Sequence, residues 1–497
     1  MSERDLDPRT GLVPGPGAAA LLRRLDSTRV LIRTTADSGA LALSLANHLV
    51  RICPSVAVDA PPIGVNLPVF GMGTLPELAA RLLNQARIGR AEGAEGPANL
   101  VIGVGDVTAG ADLYVSANGW SLRLSVDPHE PLAGRGPAVS AAAALAAAEV
   151  FRRLLPELPG VRLARDFEWN LCDYRTRVSE AFPPAAPVDA VCFGAGSVGS
   201  SLVLALLLSR AMGDLVVVDD DRLESRNRLK YPAWIGEPGV RAKVDWLQGL
   251  ALGTSLRVTP YHGSCADWQE SGPSAPAMAV AAVDTREGRR QVADVLARET
   301  LNAGIEGLAM HVSRNRFGDG LACVYCPYVD TSDRASETDV LRELTGLDSA
   351  RLLELLGGSK LTAEDVNRMV AGGRLSEADF DLVGGRIGDV ARARLYAGAR
   401  VKTGSGIAEV NAPFVPALAG AILAAEMLKA PGSAAVLDRR VDVDCSGLPT
   451  GWTSRPVADP SGRCLCHSQV RRRAYLRAWP KEYPPAGVAE PKGNMKR

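Results

Sequence analysis

Val188-Asp189-Ala190-Val191-Cys192-Phe193-Gly194-Ala195-Gly196-Ser197-Val198-Gly199, continued by a helix and then Leu215-Val216-Val217-Val218-Asp219, decides how this chain folds. An apolar run delivers the backbone to a glycine turn, and a helix over 200–210 follows before the second apolar run. In such a βαβ opening the first glycine takes the tight turn, the second admits a phosphate close to the main chain, and the third lets the helix pack on the sheet. Free N–H groups at the helix start face the phosphate. Asp219 stands about twenty residues after Gly199, at a strand tip where a carboxylate can accept from ribose hydroxyls. The fold class expected is α/β, a Rossmann-like doubly wound sheet that binds a nucleotide.

The strand tip continues as Asp219-Asp220-Asp221-Arg222-Leu223-Glu224-Ser225-Arg226-Asn227-Arg228-Leu229-Lys230. Three adjacent acids beside a phosphate turn repel the ligand unless a divalent metal or the neighbouring cations neutralise them, and this suits Mg2+ with a triphosphate. A solvated charged loop is the plainer account of such a run. An NAD-dependent oxidoreductase is the rival enzyme reading, supported only by the glycine turn and Asp219.

Taken together, these residues resemble the ThiF/MoeB-like superfamily of ubiquitin-activating and sulfur-carrier-activating adenylyltransferases. The pattern there is GxGxxG, then a strand ending D-x-D-x-V-x-x-S-N-L-x-R-Q. This chain matches it at Gly194, Gly196, Gly199, Asp219, Asp221, Leu223 and Asn227. It departs at Arg226, in place of the serine, and at Lys230 and Tyr231, in place of the arginine and glutamine. Lys230 keeps the positive charge of the phosphate-contacting arginine but loses its planar two-pronged geometry. The resemblance further implies a lysine before the next helix, for which Lys243 is the candidate. It also implies an aspartate after a buried strand, matched by Asp284 after Met278 to Val283, with Arg286, Arg289 and Arg290 beyond. An acid at the carboxyl end of a parallel strand points into the ligand crevice, where a Mg2+-binding carboxylate must sit. Asp284 also reads as an N-cap for the following helix.

Nine cysteines occur in 497 residues. No secretory leader is read at the start, so a reducing, cytoplasmic compartment is expected and a disulfide framework is not. Cys323 and Cys326 form a CxxC, and Cys464 and Cys466 a CxC followed by His467. Four thiolates, or three and an imidazole, close a structural Zn2+ site, so His467 in place of Cys466 stays open. Relatives in the resembled family join two such pairs across one zinc. Many also transfer the activated carboxyl to a cysteine in the crossover segment, but 327–444 contains none. Cys445 and Cys265 are left as weak candidates for a thioester step, since lone cysteines are usually small buried residues.

Lys and Arg together number 56, as do Asp and Glu, so the net charge is zero, which argues against nucleic acid or a membrane surface as partner. No apolar run is long enough to span a bilayer. The first 160 residues carry a second βα opening, from Ser27 through Val30-Leu31-Ile32 to Gly39, in which Thr34 and Ala36 replace the first two glycines. Strands are expected at 99–104 and 122–126. A helix over 138–153 contains Ala147-Ala148-Glu149, echoed by Ala424-Ala425-Glu426. The organisation expected is therefore an inactive repeat over 1–160, a linker over 161–187, an active adenylation domain over 188–467 with the zinc site, and a basic, proline-containing tail over 468–497. A helical insertion over 330–402, with Leu341, Leu344, Leu347, Leu352, Leu353 and Leu356 at helical spacings, would select the substrate.

The resemblance implies that one half lends a basic residue to phosphates held by the other, with Arg23-Arg24 as the candidates. One chain then forms the pair that other members make by dimerising, and homodimerisation stays open. The activity implied is ATP-dependent adenylation of a carboxylate, at the C-terminus of a small ubiquitin-like protein or a ribosomal peptide. A catalytically degenerate scaffold that binds a peptide is the reading from a different class.

Overall fold

The computed structural model describes residues 18–480, except 88–96, 106–107, 109, 131, 133–135, 156–160, 178–184, 237–240, 330–341, 343–344, 357–358, 372–382, 386, 388–398, 404–405, 411, 430–436, 438 and 452. Leu341 and Leu344 lie outside the described residues, as does the end of the tail from 481.

After helix α1 (Ala18–Ser27), the first sheet takes strands β1 (Arg29–Thr34), β2 (Ser55–Asp59), β5 (Leu100–Val104), β6 (Leu113–Asn118), β7 (Ser121–Ser125) and β8 (Asp166–Asn170), in the order β2-β1-β5-β6-β7-β8. Helices α2 (Gly39–Leu49) and α4 (Ala138–Leu154) cover it, and a hairpin of β3 (Gly64–Leu67) and β4 (Gly71–Thr74) leads into α3 (Leu75–Ala86). The second sheet takes β9 (Val188–Phe193), β10 (Gly213–Asp219), β11 (Leu256–His262), β12 (Met278–Ala281), β13 (Glu299–Glu306), β14 (Ala309–Asn315), β17 (Arg440–Asp444) and β18 (Thr453–Ser454), in the order β11-β10-β9-β12-β13-β14-β17-β18. Its helices are α5 (Ser197–Leu208), α6 (Lys243–Ala251), α7 (Cys265–Glu270), α8 (Arg286–Asp294) and α11 (Phe414–Leu428). Both sheets begin with parallel strands and finish antiparallel. Among the described residues, the first has no counterpart of β11 at its outer edge.

Near-continuous apolar strands such as β9 follow from burial on both faces of a parallel sheet. Helices α2 and α4 of the first half and α5 and α11 of the second pack against one another, and one apolar core runs through both halves from Leu25 to Cys445. Both α4 and α11 are buried nearly all round, and their many alanines let neighbouring helices come close on every side. Phe151 meets Phe414 across this seam with ring centroids 5.4 Å apart. A smaller core on the other face of the second sheet joins Phe193, Val218, Trp268, Ala281 and Val292 beneath α7 and α8. No helix of the described residues is long and apolar enough to cross a membrane.

Each buried helix carries an ion pair at the same place. Glu149 takes Arg152 at 2.7 Å, and Arg152 donates across the seam to the carbonyls of Cys445 and Gly447. Glu426 takes Lys429, Arg314 and the Tyr174 hydroxyl, and Lys429 lies 4.5 Å from the Tyr174 ring centre. Burial alone would raise the Glu426 carboxyl, but the charges of Lys429 and Arg314 hold it below the ordinary glutamate value. Its contribution to stability is therefore complete above that ordinary value and is lost as pH falls through the lowered folded one. We expect Glu426→Ala to cost about 3–5 kcal/mol in urea unfolding, because the buried Lys429 loses its counter-charge, while Arg314 keeps Glu299.

Four sequence expectations change. The stretch 161–187, read as linker, contributes β8 to the first sheet, with Trp169, Leu171 and Tyr174 buried. The insertion contains α9 (Ser349–Leu356) and α10 (Ala363–Ala371) around a small core of Leu347, Leu352, Leu355, Leu361, Val366 and Met369, but at 399–403 it has turned into β15 (Ala399–Thr403), paired with β16 (Gly406–Val410). Of the leucines read from spacing, Leu353 is exposed, because residue 355 and not 353 faces that core. The basic stretch after Ser468 forms α12 (Gln469–Ala478), held by Tyr475 Oη on the Arg298 carbonyl, Trp479 Nε1 on the Leu296 carbonyl and Arg471 on Asp294. Cys265 opens α7 behind the cap Ser264.

Candidate functional site

The glycine turn lies between β9 and α5. Gly194 has φ +100°, and a Cβ there would stand 2.5 Å from the Ala282 carbonyl oxygen; one on Gly199 would stand 1.9 Å from the Gly194 oxygen. Both positions therefore exclude any side chain. Gly196 differs: a Cβ there would meet only the Tyr231 hydroxyl, at 3.8 Å. That face of the turn is open. No side chain caps the start of α5.

Asp219, at the end of β10, accepts from Ala195 N at 2.6 Å and from Asp221 N at 2.8 Å, so it ties the second strand tip to the glycine turn. Burial raises its carboxyl above the usual range, partly offset by Lys243. Lys243 begins α6 and donates to Asp221 at 2.7 Å, with Asp219 at 4.0 Å. Burial disfavours its charge, but Tyr231, Asp219 and Asp221 outweigh this and keep the ammonium firmly protonated. Asp219, Asp220 and Asp221 bring carboxylate oxygens within 4.8 Å of one another, with Lys243 as counter-charge to Asp219 and Asp221; Asp284 is not in that group.

The loop after Asp221 brings the Tyr231 hydroxyl beside Gly196. Asn227 caps a short turn through its side-chain oxygen, which accepts from Glu224 N at 2.9 Å. Lys230 is half-buried beside Tyr231, whose ring stacks on Trp246. In the sequence, Tyr231 stands only as a departure from the resembled pattern. Its place opposite Gly196 makes it a crevice residue, and no spacing rule singles out an aromatic there. Asp284 is exposed three residues beyond β12, near Ala282, whose N–H bonds the Phe193 carbonyl next to the glycine turn. Thr285, not Asp284, caps α8, accepting from Gly288 N at 3.0 Å, so the capping role read for Asp284 is corrected.

The first half reaches this site through a residue other than those expected. Arg24 donates to the Leu154 carbonyl in its own half, and Arg23 is exposed. Arg51, fully buried in the turn after α2, crosses the seam to the carbonyls of Arg228 and Trp234, and Asn47 donates to Pro232 O at 2.7 Å. Burial, then the charge of Arg228, pushes the Arg51 guanidinium down to about 9. The signal was hidden because α2 reads as an ordinary buried helix. We expect Arg51→Met to lower stability by about 2–4 kcal/mol, since the loop carbonyls lose their donors. In the first half Thr34 and Ala36 stand at the places of Gly194 and Gly196, and Ser38 is buried against Gly105.

Cys323, Cys326, Cys464 and Cys466 converge. Cys326 Sγ lies 3.7 Å from Cys323 Sγ and 3.5 Å from each of Cys464 and Cys466. A tetrahedron of thiolates around Zn2+ has edges of about 3.8 Å, so the donor set and its spacing fit that ion. His467 Nε2 bonds the Asp459 carbonyl at 2.9 Å, and Cys466 takes the fourth corner. Asp459 orders the loop by accepting from Cys464 N at 3.0 Å, while its own N–H approaches Cys326 Sγ at 3.4 Å. Cys265 and Cys445 are both buried, and burial pushes each thiol up to about 12, far from a reactive thiolate.

No protein-family model matches the chain. An uncharacterized protein of Sinorhizobium fredii (strain NBRC 101917 / NGR234), y4jF, is 26% identical over 395 residues, covering 74% of each chain. Among solved structures, the chain is similar to E. coli MccB with MccA-N7isoASN, at TM-score 0.31 and 14% identity over 56% of this chain and 67% of that one. It is similar to E. coli MccB with ATP at TM-score 0.25 and 15% identity, over 41% of this chain and 56% of that one.

Proposed function

We propose that this chain is an ATP-dependent adenylyltransferase that activates a carboxylate, at the C-terminus of a ubiquitin-like protein or ribosomal peptide, as an acyl-adenylate. The observation that carries this reading is the open face of Gly196 opposite Tyr231 and Lys243, in a turn where Gly194 and Gly199 admit no side chain. Backbone N–H groups of 196–199 cradle phosphate oxygens, and Lys243 and Lys230 offset their charge. Asp219 orders the turn and shapes the ribose end, Asp221 holds Lys243 in place, and Asn227 fixes the loop that carries Lys230. Asp284 is the ligand for Mg2+, which when bound supplies charge neutralisation at the triphosphate. A carboxylate oxygen of the substrate attacks the α-phosphorus, the bond from that phosphorus to the bridging oxygen breaks, and pyrophosphate leaves.

The first half is, in this reading, a nucleotide-incompetent counterpart that braces the active half through Arg51 and Asn47. The chain is then a pseudo-dimer by itself, working in the cytoplasm without nucleic acid or membrane. The four cysteines bind Zn2+ as a structural site. With no reactive thiol near the crevice, the product is passed on as the adenylate rather than as an enzyme thioester.

Exchange of labelled pyrophosphate into ATP, dependent on a carboxyl-ended peptide, tests the reading. A rise in Tm with Mg-ATP but no exchange selects a peptide-binding scaffold, and a rise with NADH alone selects an oxidoreductase.

A further inference from the structure

Beyond the nucleotide crevice, β13 continues the sheet with Asn302 paired to Ala281, three residues before Asp284. The antiparallel β14 then sets His311 opposite Gly304. A Cβ on Gly304 would stand 2.4 Å from His311 Cε1, so the bare glycine lets the imidazole lie across β13. Two strand spacings, about 10 Å, separate β14 from β12.

Behind this ring lies Arg289 of α8, only 6% exposed. Its Nε donates to Asn302 Oδ1, its Nη1 to Thr285 O and its Nη2 to Ala303 O, each at 3.3 Å. The Tyr328 ring covers it, 4.5 Å from Cζ. Every one of these partners is neutral, and a buried cation ordinarily needs an anion.

The hydrogen bonds also fix the state of His311. Arginine only donates, so the oxygen of Asn302 faces Arg289 and its amide nitrogen faces His311 Nε2, at 3.3 Å. Nε2 must then accept, which leaves the proton of a neutral ring on Nδ1. Burial, with Arg440 adding to it, pushes the imidazole down to about 4, so the ring is neutral at ordinary pH. Arg289, Asn302 and His311 thus form one chain polarised in a single direction, ending in an N–H on a half-buried ring. A donor with positive charge behind it suits an oxygen that carries negative charge.

We propose that His311 Nδ1–H binds a carboxylate oxygen of the acyl substrate, with Asn302 and Arg289 as positioning residues, in a subsite for the free carboxyl end of an extended peptide. It rests on the adenylation reading above and adds where the acyl half lies. Tyr328 comes two residues after Cys326, so the cysteine cluster sets the ring that covers Arg289. A metal-free protein should lose peptide binding before nucleotide binding.

The test measures Tm with two pools of random tetrapeptides, one with free carboxyl ends and one amidated, each with and without Mg-ATP. The free-acid pool should raise Tm of the wild type and the amidated pool should not. His311→Phe and Arg289→Gln should weaken the free-acid response about tenfold, the loss of one charge-assisted hydrogen bond. Both should keep the response to Mg-ATP, and Arg289→Lys should retain part of the peptide response. If Arg289→Gln folds poorly, His311→Phe decides, since it keeps the ring shape and buries no new polar group. A His311→Phe protein that answers the free-acid pool as the wild type does overturns the proposal. So does a wild type that answers both pools alike or neither. Failure of the nucleotide reading shows up separately, as no Tm response to Mg-ATP in any variant.

Discussion

Replacement of Asp284 by alanine is expected to reduce peptide-dependent pyrophosphate exchange by about 10²–10³-fold, the scale of losing one group aimed at transition-state charge. The variant should fold normally. Asp284 is exposed beyond the end of β12, and α8 is capped by Thr285, so removing the carboxylate leaves the helix start intact. The expected change in unfolding free energy is within about 0.5 kcal/mol. A large loss of exchange with no loss of stability separates a metal-binding acid from a structural one. Unchanged exchange would falsify the role assigned to Asp284, whereas equal losses of exchange and stability would make it a fold determinant. Asp284→Asn refines this: it keeps the shape and removes the charge, so it should be nearly as inactive as Asp284→Ala.

The second large effect is expected at the cysteine cluster. Cys323 and Cys464 are both nearly fully buried, and their sulfurs lie 3.5 Å apart across more than a hundred residues of chain. A metal held there joins the end of the second sheet to the segment carrying α12. Structural Zn2+ binding is worth about 10–16 kcal/mol in small zinc domains, and much of that is folding free energy. Cys464→Ser should therefore drop zinc from about one equivalent per chain to near none by elemental analysis. Its thermal unfolding should move down by many degrees, and chelation of the wild type should reproduce the shift. His467→Ala should keep the metal, because that ring bonds the Asp459 carbonyl and stands outside the tetrad. Wild-type protein without zinc, or Cys464→Ser with a full equivalent, would remove the site.

The glycine turn was legible in advance because the need for glycine is local. Gly194 at φ +100° and Gly199 against the Gly194 carbonyl are demands of backbone geometry within a few residues. The two cysteine half-sites were legible for a similar reason, since ligand spacing is a local property. Which fourth group closed the tetrad was not, because it depends on where the Asp459 loop turns His467. Strand β8 was missed because a short stretch around Trp169, next to charged residues, reads no differently from a linker until β7 supplies its partner. The tail helix was missed likewise: α12 shows no clear apolar stripe, and it is fixed by Tyr475 and Trp479 reaching carbonyls distant in sequence.

By itself the sequence determined the elements whose causes are local: apolar strand runs, the helix behind Gly199, the turn that leaves Gly196 open, and the pairing of cysteines. Only the tertiary structure decided which half braces which, through Arg51 and not Arg24, and which side chains share the crevice, above all Tyr231. The physical reason is that these are contacts between groups far apart in the chain. Their free energy depends on the packing of α2 against the second half, and no periodicity or spacing in one strand of sequence encodes it.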